Sequence, residues 1–231
     1  MLINLFEIRT IPSANHLNPS FIYLGMKNIK AVLFDFDGVL IDSHDAWWKT
    51  FNDTYKHFMG KSMTKEDFSK KVWGSSFVKL HKVHFPGVEL KDIIEYAYKK
   101  LPLYFKEVKC IDNADLVIPE LKKKYKLGIV TNARREVVEA LLPRLPFEFD
   151  SVVTFTDVKE AKPAPEMILK ACKEVGVRPE EAVVVGDFEL DLEAARRAGS
   201  VAIGYKIPGD FSINDLKELI PLLRGEKDGP I

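Results

Sequence analysis

The chain alternates between short apolar runs and longer amphipathic stretches. The first apolar run extends from about Lys30 to Phe36 without polar alternation, as is typical of a strand covered on both faces. Four shorter runs have the same character, at residues 127–130, 151–154, 182–185 and 201–204. Stretches with helical spacing separate or follow them, at about 134–143, 165–176, 189–198 and 212–223. This alternation predicts an α/β fold with a doubly wound parallel sheet.

A long helical segment interrupts the alternation between the first two of these strands. It covers about residues 43–110, and aromatic residues recur every three or four positions from Trp47 to Phe58. Thr64 and Asp67 have the spacing of a helix N-cap. Because a segment of this length must fold as a structure of its own, we expect a small α-helical cap domain over the end of the first strand.

The same pattern divides the chain into predicted parts. Residues 26–42 and 111–231 are expected to form a Rossmann-like core, residues 43–110 an inserted cap domain, and residues 1–25 a peripheral extension, with Met26 as the natural start. Pro119 falls within a further helical stretch, about 114–125, where it predicts either a break or a helix start.

The composition narrows the classes of partner. The 34 basic and 34 acidic residues of the 231-residue chain cancel, so the chain has no net positive charge to attract nucleic acid or an anionic membrane. No apolar run approaches the length that spans a bilayer. Cys110 and Cys172 lie far apart and match no metal spacing. We therefore expect a cytoplasmic monomer or homodimer without a nucleic-acid or membrane partner.

Polar residues follow the predicted strands at one edge of the sheet, where doubly wound folds bind their ligands. They are Asp35 and Asp37 after the first strand, Thr131 and Asn132 after the second, Lys162 before the helix that follows the third, and Asp187 and Asp191 after the fourth. Gly38 lets the chain turn directly after the paired aspartates. Four carboxylates cannot crowd together ionised without a cation, and their hard oxygen ligands suit Mg²⁺.

Each of these segments has an ordinary interpretation when taken alone. An Asp-x-Asp pair is usually a solvated turn, and Thr131-Asn132 is more often a helix cap. Lys162 before Pro163 would usually lie in a surface loop. These ordinary interpretations would have to hold at four places in order, always at a strand end, and this favours a functional site.

The segments also resemble a known family. Asp35-Phe36-Asp37-Gly38-Val39, Val130-Thr131-Asn132, Lys162-Pro163-Ala164-Pro165, and Gly186-Asp187 with Asp191 are similar to the four ordered motifs of the haloacid dehalogenase-like hydrolases, from about residue 27 to 223. The helical insertion resembles the small cap of the subgroup that holds phosphoglycolate phosphatases and β-phosphoglucomutases. Phe188 departs from the Ser or Thr usual in the family, and we expect it to change local packing and not metal ligation.

The resemblance implies a metal site and a nucleophile. It assigns direct Mg²⁺ ligation to Asp35, the backbone carbonyl of Asp37, and Asp187, and it gives Asp191 the role of orienting a ligand or a bound water. Asp35 is implied to attack phosphorus and form an aspartyl phosphate. Asp37 is implied to protonate the leaving alcohol and then to deprotonate water.

The remaining site residues are expected to bind the phosphate. The Thr131 hydroxyl and the Asn132 amide N–H can donate to phosphoryl oxygens, and Gly38 is a further predicted substrate contact. Lys162 offsets the phosphate charge and keeps Asp35 ionised. The predicted substrate is a small phosphorylated metabolite of the phosphoglycolate type.

Several alternatives remain open from the sequence. Asp37 favours cleavage of a phosphate ester over dehalogenation, since an alkoxide leaving group needs a proton. A phosphomutase, or a non-catalytic binding module on the same fold, is the alternative. Residues 73–76 are predicted either to face substrate or to form a structural turn. Asp42, Ser43 and His44 are predicted either to cap the first helix of the insertion or to touch substrate.

Overall fold

The computed structural model describes residues 28–225, and its centre is a sheet of six parallel strands. The strands are β1 (Ala31–Phe34), β4 (Lys126–Thr131), β5 (Ser151–Thr154), β6 (Ala182–Gly186), β7 (Val201–Tyr205) and β8 (Phe211–Ile213). Their order across the sheet is β5-β4-β1-β6-β7-β8. The predictions for residues 1–25 and for a start at Met26 lie outside the described residues.

The strand order places β1 at the switch point of the sheet. From β1 the chain passes to β4 and β5 on one side, and then returns to build β6, β7 and β8 on the other. The crossovers on the two sides therefore diverge beside β1, and a crevice is left beyond its carboxyl end. This topology confirms the predicted doubly wound sheet.

Helices cover both faces of the sheet. They are α5 (Ala114–Lys122), α6 (Arg135–Leu141) and α9 (Leu219–Arg224) on one face, and α7 (Glu166–Val175) and α8 (Glu189–Ala198) on the other. The period of two along β1 sends Val32 and Phe34 into the first core and Ala31 and Leu33 into the second. All four are completely buried, which explains why this strand shows no polar alternation.

The helical insertion leaves and re-enters the core through a two-stranded antiparallel ribbon, β2 (Ile41–Asp42) with β3 (Lys109–Cys110). Between these strands lie α1 (His44–Met59), α2 (Lys65–Lys71), α3 (Phe77–His84), α4 (Leu90–Lys100) and a 3₁₀ helix (Leu101–Glu107). Phe51, Phe68 and Phe85 pack in a separate apolar core. The expected cap at Thr64 is confirmed, since its side chain accepts a hydrogen bond from the Asp67 N–H at 3.1 Å. The domain boundaries at residues 26, 43 and 111 stay predictions.

Two local predictions were wrong. Pro119 neither breaks nor starts a helix but lies inside α5, because Val117, Ile118 and Leu121 of that helix are buried in the core and offset the lost hydrogen bond. The helix predicted over 212–223 is wrong in its first part, where Phe211–Ile213 form strand β8; a 3₁₀ turn (Leu216–Glu218) and the short α9 follow. The alternating sequence Phe-Ser-Ile allows β8 to pair with β7 at the sheet edge and to bury its apolar side chains.

None of the helices within residues 28–225 is long and apolar enough to cross a membrane.

Candidate active site

The centre of the site is Asp35, the first residue after β1. Its backbone N–H donates to the Val185 carbonyl at 2.9 Å, so the pairing of β1 with β6 continues up to the aspartate. The side chain is buried and lies at the carboxyl edge of the sheet. The apolar strand thus delivers a carboxylate directly to the switch point.

Asp37 faces a different set of groups from Asp35. Its Oδ1 atom accepts a hydrogen bond from the Ser43 hydroxyl and a second from the Trp47 indole N–H at 3.3 Å. Both donors belong to the start of the insertion and not to the sheet. The two aspartates therefore separate, one toward the core lysine and the other toward the insertion.

Gly38 turns the chain after the aspartates. Its N–H donates to the Ile41 carbonyl at 2.8 Å, and its φ angle of +82° lies in the left-handed region. A Cβ at this position would lie 2.1 Å from Asp187 Oδ2. Glycine is required here both for the turn and for the approach of Asp187.

Asp187 and Asp191 come from the loop after β6 and the first turn of α8. Asp191 Oδ2 accepts from the Phe188 N–H at 3.0 Å, which closes this turn. Gly186 makes room for Asp191, because a Cβ on Gly186 would lie 2.1 Å from the Asp191 Cβ. Asp187 Oδ1 is buried and is the one such side-chain atom in residues 28–225 without a hydrogen-bond partner.

Lys162 joins the acid that follows β1 to an acid in the first turn of α8. Its Nζ atom donates to Asp35 Oδ1 at 2.8 Å, to Asp191 Oδ1 at 2.5 Å and to the Val130 carbonyl at 2.9 Å. These contacts use all three donors of the ammonium group. The lysine is buried, so the surface-loop interpretation of this residue is wrong.

Asn132 holds the lysine loop in place. Its Oδ1 accepts from the Lys162 N–H at 3.0 Å, and its Nδ2 donates to the Lys162 carbonyl at 3.1 Å. Thr131 is buried, and its hydroxyl oxygen accepts from the Ala133 N–H at 3.0 Å, so the hydroxyl proton remains available for donation. The side chain of Asn132 therefore positions Lys162, a contact that the sequence did not indicate.

The site concentrates negative charge. Burial raises the pKa of Asp35 to about 7 although Lys162 lowers it, and burial together with the charges of Asp35 and Asp191 raises the pKa of Asp187 to about 8. Burial also raises the pKa of Asp37, against the hydrogen bonds from Ser43 and Trp47. Although burial lowers the pKa of Lys162, the charges of Asp191 and Asp35 raise it above its ordinary value.

These residues fit a divalent cation. Asp35, Asp187 and Asp191 each place a carboxylate oxygen within 4.8 Å of the others. The donor set is all oxygen, as Mg²⁺ prefers, and the unpartnered Asp187 Oδ1 is an open ligand position. Both oxygens of Asp191 already accept hydrogen bonds, so Asp35 and Asp187 are the better direct ligands. The Asp37 carboxylate is not part of this group.

Two contacts link the insertion to Asp37 and to the loop after β6. One is the pair of donors to Asp37, Ser43 and Trp47. The other is the loop of residues 73–76, where a Cβ on Gly74 would lie 2.2 Å from the Phe188 ring. Phe188 thus packs against the insertion.

Sequence reasoning had left Ser43 open and had given Trp47 only a core role. The Ser43 side chain caps no helix but donates to Asp37, and His44 instead contacts Ser69 through Nε2 at 2.8 Å. Trp47 was assigned to the core of the insertion because it lies on the apolar stripe of α1. Its indole N–H emerges toward Asp37 only because α1 starts close to the end of β1, a placement without a sequence signal.

Comparison with known proteins agrees with this geometry. Residues 32–204 match the family model described as haloacid dehalogenase-like hydrolase. The pyrophosphatase PpaX of Bacillus cereus (strain AH820) is 32% identical over 209 residues, covering 84% of this chain and 96% of its own.

Solved structures show the same fold. A HAD-superfamily hydrolase, subfamily IA, variant 1, from Geobacter sulfurreducens PCA superposes with a TM-score of 0.69 at 26% identity, covering 85% of this chain and 97% of that one. A protein from Haemophilus somnus 129pt, predicted to be a phosphoglycolate phosphatase, superposes with a TM-score of 0.72 at 21% identity, covering 85% and 99%. At the latter identity the likeness concerns the fold alone.

Proposed function

The chain belongs to the haloacid dehalogenase-like hydrolase family and is a hydrolase of its phosphatase type, and from this premise we propose that it hydrolyses a small phosphomonoester with Mg²⁺. One observation carries the proposal. Asp35, Asp187 and Asp191 converge around Lys162, and one buried oxygen of Asp187 has no partner. A site with more carboxylates than cations suits a metal ion, which in turn attracts a phosphate.

We assign the metal ligands accordingly. Asp35, Asp187 and the backbone carbonyl of Asp37 would hold Mg²⁺, and Asp191 would orient Asp35 and the loop after β6 through Lys162 and the Phe188 N–H. When bound, Mg²⁺ offsets the charges of the carboxylates and of the phosphoryl oxygens.

In the first chemical step, Asp35 is the nucleophile. One of its carboxylate oxygens attacks phosphorus, and the bond from phosphorus to the leaving oxygen breaks. The hydrogen bond from Lys162 at 2.8 Å favours the ionised form of Asp35 that this attack needs. Asp37 donates its proton to the leaving oxygen, a role supported by the upward shift of its pKa on burial.

In the second step, water attacks phosphorus and displaces Asp35, which regains its carboxylate. Asp37, now ionised, accepts the proton of that water, and inorganic phosphate leaves. Ser43 and Trp47 hold the Asp37 carboxylate in place through both steps. Throughout, the Thr131 hydroxyl and the backbone N–H of Asn132 would donate to the phosphoryl oxygens, whereas the Gly38 N–H is already bonded to the Ile41 carbonyl.

The proposed substrate is a small phosphorylated metabolite. The insertion lies against the site through the contacts of Trp47 with Asp37 and of Trp73 with Phe188, and this leaves more room for a small molecule than for a protein surface. A phosphoglycolate-like ester remains our first candidate. The Bacillus cereus relative is a pyrophosphatase, so inorganic pyrophosphate is tested beside it.

The first prediction concerns Asp35→Asn. An amide has far weaker nucleophilicity than a carboxylate, so we expect Mg²⁺-dependent release of p-nitrophenol from p-nitrophenyl phosphate to fall by at least about 10³-fold. Steady-state rates of the full chain with Mg²⁺, and with EDTA, provide the measurement.

The matched control is Asp92→Asn, which neutralises an exposed aspartate in the first turn of α4. It should retain the activity of the unsubstituted chain. Near-normal turnover by Asp35→Asn would contradict the nucleophile assignment. Absence of turnover in the unsubstituted chain with every divalent cation would favour a non-catalytic binding module.

A further inference from the structure

Arg134 lies beside the site, and its positive charge is not neutralised by a close ion pair within residues 28–225. It lies two residues after Asn132, immediately before α6. Among residues 28–225 its guanidinium donates no hydrogen bond, and its ion-pair contact, Nε to Glu136 Oε2, spans 3.8 Å to an exposed carboxylate. The neighbouring Arg135 differs, since it bonds Asp157 at 2.5 Å and the Val152 carbonyl at 3.0 Å. Arg134 therefore has a full set of N–H donors available.

The position of Arg134 is defined by Tyr98 of α4. The guanidinium carbon lies 4.8 Å from the centroid of the Tyr98 ring. That ring meets the Trp47 ring edge-on at a centroid distance of 5.9 Å, and the Trp47 N–H reaches Asp37 Oδ1. Arg134, Tyr98, Trp47 and Asp37 thus form a continuous wall from the core loop across the insertion to the proposed acid.

In the proposed mechanism this wall lies on the side where the leaving group departs, because it ends at Asp37. Asp37 has to reach the leaving oxygen, so the rest of the leaving group extends along the residues that surround Asp37. Lys162 cannot serve that part of the substrate, because its ammonium is occupied by Asp35, Asp191 and Val130. Arg134 is a cation of this wall whose guanidinium donates no hydrogen bond within residues 28–225.

Tyr98 adds a neutral donor to the same wall. Burial raises the pKa of Tyr98 to about 12, and the charge of Asp37 contributes to that rise while Arg134 opposes it. The hydroxyl therefore stays protonated, and in the described part of the chain it forms no hydrogen bond. A cation and a hydroxyl donor, both without hydrogen-bond acceptors, are suited to an anion.

We propose that Arg134, assisted by the Tyr98 hydroxyl, binds a second anionic group on the leaving-group side of the substrate. The preferred substrates are then phosphate compounds whose leaving group itself carries a carboxylate or a phosphate. This inference rests on the proposed phosphatase function and goes beyond it by naming a specificity-determining residue. The competing role for Arg134 is purely structural, in which its contact with Tyr98 fastens the insertion to the core.

The experiment compares substrates in matched pairs. One pair is 2-phosphoglycolate and 2-hydroxyethyl phosphate, which differ in a carboxylate, and the other is inorganic pyrophosphate and methyl phosphate. Values of kcat and KM are measured for the full chain with Mg²⁺. The unsubstituted chain should prefer the member with two anionic groups in at least one pair. Because phosphate is a better leaving group than methoxide, a preference for pyrophosphate supports the inference only if Arg134→Gln reduces it. The pair whose preference Arg134→Gln reduces identifies the carboxylate or the phosphate as the recognised group.

Arg134→Gln should lower kcat/KM for that preferred member by about 10- to 100-fold, mainly through KM, because a charge-assisted hydrogen bond is lost. The member with one anionic group should change by less than about 3-fold. Tyr98→Phe keeps the ring beneath the guanidinium and removes the hydroxyl, so a smaller loss on the same substrate is expected. Arg197→Gln neutralises an exposed arginine paired with Glu193 on α8 and should change neither member.

An equal loss of kcat/KM on both members of a pair would overturn the inference. Arg134 would then have only the structural role of holding the insertion against the core through Tyr98. If Arg134→Gln does not fold, Arg134→Lys retains the charge without the planar fork, and it should keep part of the preference with an unchanged melting temperature. If the unsubstituted chain hydrolyses these compounds but shows no preference in either pair, the inference about Arg134 is contradicted and the proposed phosphatase function is not. Failure to hydrolyse any of these compounds or p-nitrophenyl phosphate contradicts the proposed function itself.

Discussion

Gly38 shows how a single residue permits the site. Asp35 and Asp187 arise from different strands, and the turn after Asp35 passes directly against Asp187. A side chain at residue 38 would occupy the place of Asp187 Oδ2, since a Cβ there would lie 2.1 Å from that atom. The proximity of the acids depends on the absence of one carbon atom.

Gly38→Ala should therefore displace Asp187 as well as strain the backbone. We expect a fall of about 10²-fold in kcat for p-nitrophenyl phosphate, because a misplaced catalytic group costs that much, and a loss of about 1–2 kcal/mol in the free energy of unfolding from the left-handed φ. Gly199→Ala is the matched control, with φ of +84° and no atom within 4 Å of its Cβ. Equal activities of the two variants would contradict the steric role of Gly38.

At the scale of elements, two loops from different parts of the chain meet. The loop of residues 73–76 connects α2 with α3, and the loop after β6 carries Asp187. Trp73 and Phe188 lie 6.3 Å apart between ring centroids, and Gly74 lies beneath the Phe188 ring with φ of +77°. Trp73 also contacts His44 at the start of α1, so the contact extends to the first helix of the insertion.

Gly74→Ala should separate these loops. A Cβ would lie 2.2 Å from Phe188, and we expect kcat/KM for p-nitrophenyl phosphate to fall by about 10-fold, since a shift of about 1 Å near a site is costly. In a Phe188→Ala background the same substitution should cost much less, which a double-mutant cycle measures.

Gly87→Ala is the control within the insertion, since its φ is +81° and its Cβ would meet no atom within 4 Å. Additive effects of Gly74→Ala and Phe188→Ala would show that the two loops do not act through this contact.

At the scale of the whole molecule, the acidic site links stability to pH and to the metal. The pKa values of Asp35, about 7, and Asp187, about 8, lie above their ordinary value of 3.8, so the folded protein without a cation binds protons more tightly than the unfolded chain. This contribution to stability is complete at low pH and is lost as the pH rises through 7 to 8. Mg²⁺ requires the ionised carboxylates and so counteracts the loss.

We therefore expect Mg²⁺ to raise the melting temperature little at pH 6 and by about 5 °C or more at pH 8.5, at saturating concentration. Thermal unfolding followed by circular dichroism at both pH values, with Mg²⁺ or with EDTA, provides the measurement. Asp187→Asn should lose the response. A Mg²⁺ effect of equal size at both pH values, or one retained in Asp187→Asn, would argue against this site.

The sequence by itself determined the parts of the molecule that depend on local periodicity. The unbroken apolar character of β1 requires cover on both faces, and this alone indicates a sheet between two helical layers. Residues at the carboxyl ends of parallel strands must meet at one edge of the sheet, so the sequence alone predicts that Asp35, Thr131 and Asp187 lie close together. The Thr64 cap is equally local, since its donor lies three residues away.

Tertiary structure alone decided the features that depend on which surfaces meet. Pro119 remains in a helix because burial of its neighbours outweighs propensity, and β8 is a strand because an edge of β7 was available. The contact of Trp47 with Asp37 joins residues ten positions apart, and that of Asn132 with Lys162 joins residues thirty apart. Side-chain periodicity carries no information about such pairs, because their distance is set by the packing of whole elements against one another.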